Sequence, residues 1–115
     1  VALSLKGPAH VAGKHLMAKF MVRVILRGTD TTEQYERLDA AMFVHGFSRD
    51  LAGKKAVYQL PPGEYWYVAD GSVSEVRTLA ATAAEKGEKG FGIIVVQVNG
   101  WSVMGLKKSP APASE

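Results

Sequence analysis

Residues 17–49 read MAKFMVRVILRGTDTTEQYERLDAAMFVHGFSR, and two periodicities meet inside them. Phe20 to Arg27 is rich in β-branched and apolar residues and reads as a strand. Alternation puts Phe20, Val22, Val24 and Leu26 on one face, and Met21, Arg23, Ile25 and Arg27 on the other. The first set suits a core under helices. The second is half polar and suits an open sheet face. Gly28-Thr29-Asp30 ends the strand. Asp30 or Thr31 then caps a helix, with Glu33 or Gln34 three residues on. Tyr35, Leu38, Ala41 and Met42 keep helical spacing. Gly46 closes this helix as a left-handed cap.

The rest of the chain adds further strands and a second helix, with no internal repeat. Phe47 to Leu51 starts a short second strand, and Ala52-Gly53-Lys54-Lys55 is a turn. Ala56 to Leu60 is strand-like until Pro61-Pro62-Gly63 interrupts it, and Glu64 to Ala69 resumes. Proline has no amide donor, so the break is an edge, a bulge or a loop. Ser72 with Glu75 forms a second capping box, followed by a stripe of Val73, Val76, Leu79, Ala80 and Ala83, with Gly87 at the end. Phe91 to Val98 is almost unbroken in its apolar character, the pattern of a central strand covered on both sides. Asn99-Gly100 is a hairpin signal, with Trp101 to Leu106 pairing back.

Strand, helix, two strands, helix, strand is the order of an α+β protein. With both crossovers of like hand it predicts a ferredoxin-like βαββαβ sandwich. The antiparallel sheet then carries two helices on one face and a C-terminal hairpin arm. The domain runs over 17–107. Residues 1–16 show no period and hold three glycine or proline breakers, so they read as a disordered leader or a non-native extension before a start at Met17. Residues 108–115 are rich in Pro, Ala and Ser and read as a disordered tail.

Composition removes several function classes. The 115 residues suit one domain. There is no cysteine, so disulfides, thiolate metal sites and cysteine nucleophiles are excluded. No apolar run approaches the roughly 20 residues that span a bilayer, and the expected location is cytoplasmic. The net charge is +3. Residues 17–106 hold as many acidic as basic side chains, so the excess sits at the two ends. A bulk-charge argument for nucleic-acid binding therefore fails, and only a local patch can carry one.

Arg23 and Arg27 lie four apart on one strand and share a face. Tyr58, Tyr65, Trp66 and Tyr67 lie on neighbouring strands. Arginine beside aromatics on an open sheet holds phosphates and stacks bases. The same residue types also simply pack and solvate a sheet. His45 is the histidine of the domain, beside Gly46 and close to Arg49, where a helix C-terminus also takes a histidine as a dipole partner. Asp30 follows the first strand, where a carboxylate can hold a divalent ion, but it is more simply the cap of the helix. No glycine-rich phosphate loop is present.

Four segments together resemble a known family: AKFMVRVILRG, YERLDAAMFVHGFSR, YQLPPGEYWY and the closing strand at Gly105-Leu106. In order and spacing they are similar to small bacterial and prophage proteins of the GhoS family. These are type V antitoxins described as endoribonucleases, with the ferredoxin-like fold of the CRISPR-adaptation nucleases. The resemblance implies cleavage of a toxin messenger RNA. It places Arg23, Arg27 and Arg49 on phosphates, Tyr58 and Tyr65 on bases, and Arg37 or His45 at proton transfer or the transition state. Asp30 comes three residues after Arg27, so the aspartate that ends the first strand in the related CRISPR nucleases has no firm counterpart. No cofactor is expected, and a divalent metal is not called for. The alternative is a non-catalytic accessory module whose sheet face or edge forms a homodimer or binds a protein.

Overall fold

The computed structural model describes residues 17–28, 31–88 and 90–109. The expectations for residues 1–16, for Asp30 and for the chain after Ser109 lie outside the described residues. Seven elements follow in order: β1 (Ala18–Leu26), α1 (Thr32–Val44), β2 (Asp50–Ala52), β3 (Val57–Gln59), β4 (Glu64–Ala69), α2 (Val73–Gly87) and β5 (Phe91–Val98).

β1 is the centre of a three-stranded antiparallel sheet of order β4-β1-β5. Its alternation is the one the sequence predicts. Phe20, Val22, Val24 and Leu26 are buried, and they share one core with Leu38 and Met42 of α1 and Val76, Ala80, Ala83 and Ala84 of α2. Each large side chain so buried contributes about 1.5–3 kcal/mol. Both helices therefore cover the same face of the sheet, an α+β arrangement compatible with the ferredoxin-like layout.

Both helices start on full capping boxes, Thr31 with Gln34 and Ser72 with Glu75. α1 ends in a Schellman turn. The Phe47 amide donates to the Met42 carbonyl and the Gly46 amide to the Phe43 carbonyl, with Gly46 at φ +91°. The helices approach closely where Gly87 meets α1. A Cβ there would lie 2.9 Å from the Arg37 carbonyl oxygen and 3.3 Å from Ala41 Cβ.

The proline break separates two sheets. Ser48 bridges to Trp66 on the outer side of β4 and is all that remains of the expected second strand in the main sheet. β2 and β3 instead form their own antiparallel hairpin, closed at its tip by the Gly53 amide donating to the Ala56 carbonyl. Gly63, at φ +86°, starts β4 by accepting a 2.8 Å hydrogen bond from the Val24 amide.

Three expectations about the C-terminal region change. β5 lies at the edge of the sheet and is not a central strand. Residues 101–106 contain no strand and do not pair back on β5. The chain crosses to the small sheet, where the Gln59 amide donates to the Lys107 carbonyl and the Ser109 amide to the Val57 carbonyl. Ser109 Oγ adds a 2.6 Å bond to the Asp50 carboxylate. Lys108 and Ser109, expected in the tail, thus belong to the folded body.

Candidate nucleic-acid interface

The sheet has one face free of helices. Antiparallel partners project to the same side, so the register identifies what the face carries. Lys19, Met21, Arg23 and Ile25 of β1 stand beside Val98, Val96, Ile94 and Gly92 of β5, and beside Val68, Trp66 and Glu64 of β4. Arg23 is exposed, as its position on this face requires. Arg27 lies just beyond β1, exposed, its amide donating to the Gly90 carbonyl.

One end of this face is a groove of about 630 Å³. The β2–β3 hairpin forms one wall with Ala52, Gly53 and Lys54. The chain after β5 forms the other with Asn99, Gly100 and Trp101. Lys19 and Trp66 lie on its floor. Trp66 and Trp101 meet edge to face, with ring centroids 6.1 Å apart. Among the described residues Lys19, Arg23 and Lys54 enter no ion pair. Two indoles and free cations along an open groove can stack bases and hold phosphates.

The sequence places Trp66 among the sheet aromatics but points to Tyr58 and Tyr65 for stacking, and Trp101 does not enter that reading, although one signal favoured Trp66 over Tyr65. In Glu64-Tyr65-Trp66-Tyr67-Val68, parity sets Trp66 with the exposed residues and Tyr65 with the core.

Tyr65 is the clear correction. It is 0% exposed, paired with Val22 in the core, so no base can stack on its ring. Its hydroxyl donates to Asp39 Oδ1 at 2.6 Å. Burial, reinforced by that carboxylate, raises its pKa well above the ordinary tyrosine value. Arg49 belongs to the same cluster. Its Nη1 pairs with Asp39 Oδ2 at 2.8 Å, and its Nε and Nη2 donate to the Leu60 carbonyl. Its guanidinium joins α1 to the end of β3 and is already occupied, which argues against a phosphate contact. Tyr58 is half-buried on β3, bridged to Lys108, with its ring beside Gly53 and near Trp101. It borders the groove from behind.

Arg37 and His45 do not come together. Arg37 pairs with Glu88 beyond the end of α2, at 2.9 and 3.0 Å. His45 is the C-cap residue of α1, where its Nδ1–H donates to the Ala41 carbonyl oxygen at 3.0 Å. Eight residues of helix separate them by about 12 Å along the axis, and α1 covers the opposite side of the sheet from Arg23. Among the described residues no three acidic or histidine side chains gather as metal ligands. No described helix is long and apolar enough to cross a membrane.

Compared with known proteins, the chain matches no family model, no curated protein and no solved structure.

Proposed function

We propose that this protein binds single-stranded RNA along the open face of a ferredoxin-like sheet, as an antitoxin of the GhoS-like kind would. The observation that carries this reading is the groove in which Lys19 and Lys54 flank the Trp66–Trp101 pair. Arg23 extends its charge along β1. Indole rings stack any base, and each stacked base contributes about 1–3 kcal/mol, so the groove suits a flexible strand better than a duplex.

Cleavage of a toxin messenger is the activity that the family resemblance implies. The groove lining contains no histidine or carboxylate, and Arg37, His45 and Arg49 lie elsewhere in structural bonds. RNA binding is therefore the primary function in this reading, with cleavage secondary to it. The aliphatic remainder of the face, with Ile25, Ile94, Val96 and Val68, favours the second reading, a non-catalytic module that docks a protein on the same sheet.

Tryptophan fluorescence during titration with short RNA oligomers tests the proposal. Quenching that saturates in the wild type and weakens at least tenfold in Trp66→Ala supports it. Equal affinity in that variant overturns it. Incubation with candidate toxin transcripts, with and without magnesium, tests cleavage separately. Site-specific cuts that disappear in Arg37→Ala or His45→Ala would restore those residues to a catalytic role.

A further inference from the structure

We infer that β5 is a self-association edge, and that two copies of this chain join their sheets through it into one six-stranded sheet.

Three observations lead there. First, β5 ends the sheet and touches only β1 and α2 among the other elements. Its outer backbone groups are identifiable. The Arg27 amide donates to the Gly90 carbonyl, and the β1–β5 register continues from that pair. Antiparallel bonding alternates along a strand. Gly92, Ile94, Val96 and Val98 therefore turn their amides and carbonyls toward β1. Phe91, Ile93, Val95 and Gln97 turn theirs outward, toward no other strand among the described residues.

Second, β5 carries none of the features that protect an edge. Phe91–Val98 contains no charge and no proline over eight residues. Edge strands of monomers ordinarily carry lysine, proline, a bulge or a cover. Third, the core is unfinished here. Phe91, Ile93 and Val95 face the helices yet stay half-buried, while Phe20, Val22 and Val24 on β1 are buried almost completely. On the open side Ile94 is 52% and Val96 49% exposed.

A second copy fits this edge because the strand is complementary to itself. A two-fold axis perpendicular to the sheet at Ile94 brings Ile93 opposite Val95 and Phe91 opposite Gln97. All four outward residues are then in hydrogen-bonding pairs. Ile94 sits across from its own counterpart, and Gly92 across from Val96. No like charges meet. The operation keeps both helical layers on one side, so the half-buried side chains of the two copies cover each other. Both open faces look the same way. A foreign strand would satisfy the backbone, but nothing in β5 selects it, whereas the self-pairing uses every outward group.

The test is sedimentation equilibrium of the full chain over micromolar to millimolar concentration, with hydrogen exchange at both extremes. The expected result is a species of twice the 12.4 kDa monomer mass, with the Ile93, Val95 and Gln97 amides protected only at high concentration. Ile94→Lys sets like charges on the axis from an exposed position, and Gln97→Pro removes an outward donor while leaving the β1 ladder intact. Each is expected to weaken association at least tenfold, with far-UV circular dichroism unchanged. A monomer at all concentrations overturns the inference. So does a dimer unaffected by both substitutions, or protection of the three amides that does not vary with concentration. The last outcome would mean that the chain covers its own edge.

Discussion

Asp39 sits half-buried on α1 and uses both carboxylate oxygens, one for the Tyr65 hydroxyl and one for Arg49. The cluster ties three elements together without touching the open face. Tyr65→Phe removes one charge-assisted bond while Arg49 still satisfies Asp39. We expect a loss of about 1–2 kcal/mol in urea unfolding, with RNA affinity unchanged. The pH dependence has a definite sign. Above pH about 10 the unfolded tyrosine loses its proton while buried Tyr65 keeps it. The folded state then holds the extra proton, and stability falls as pH rises, by about 1.4 kcal/mol per unit from this group. Unfolding curves from pH 9 to 11 should be flatter in Tyr65→Phe than in the wild type. The acidic partner of Tyr65 was not legible in the sequence, because 26 positions separate it from Asp39. The burial of Tyr65 was legible. Strand parity alone excludes it from the face of Arg23 and puts Trp66 there.

Capping boxes and the Gly46 turn are local patterns, and they form where the spacing predicts. Strand partners are settled over longer range, and there the sequence misleads. Phe91–Val98 has the composition of a central strand and lies at an edge. Asn99-Gly100 signals a hairpin, but the type I′ turn requires positive φ at both residues. Neither adopts it. The segment beyond pairs with β3, whose edge offered backbone groups that the sequence could not locate. Helix packing allows a sharper test. An added Cβ at Gly87 meets the Arg37 carbonyl at 2.9 Å, a backbone atom that cannot turn aside. Gly87→Ala should therefore destabilise by about 1–3 kcal/mol, despite alanine's higher helix propensity. A thermal melt decides the sign: a rise in Tm would show that α1 and α2 separate freely.

Charge is distributed unevenly over the molecule. Residues 17–106 balance, but Lys107 and Lys108 join the folded body through their bonds to the small sheet and tip it positive. Lys19, Arg23 and Lys54 lie on or beside the groove and enter no ion pair among the described residues. If these three neutralise RNA phosphates, log K against log salt has a slope of about −2. Affinity for an RNA oligomer should then drop about 15–20-fold between 50 and 200 mM salt. A slope near zero would remove phosphate contact from the reading, and a much steeper one would require cations beyond these three, Arg27 first among them.

The crossing of the chain to the small sheet also sets a schedule. Ser109 comes 59 positions after Asp50, the residue its hydroxyl holds. At a synthesis rate of about 5–20 residues per second, it follows Asp50 off the ribosome by about 3–12 s. A hairpin of two short strands is marginal by itself in water. During those seconds β2 and β3 lack their third member, and the hairpin that carries Lys54 is held only by its own short ladder and by the bonds between Arg49 and Leu60 at its base. The groove wall is thus among the last of the described parts to set, completed by residues that emerge after both helices and the whole main sheet.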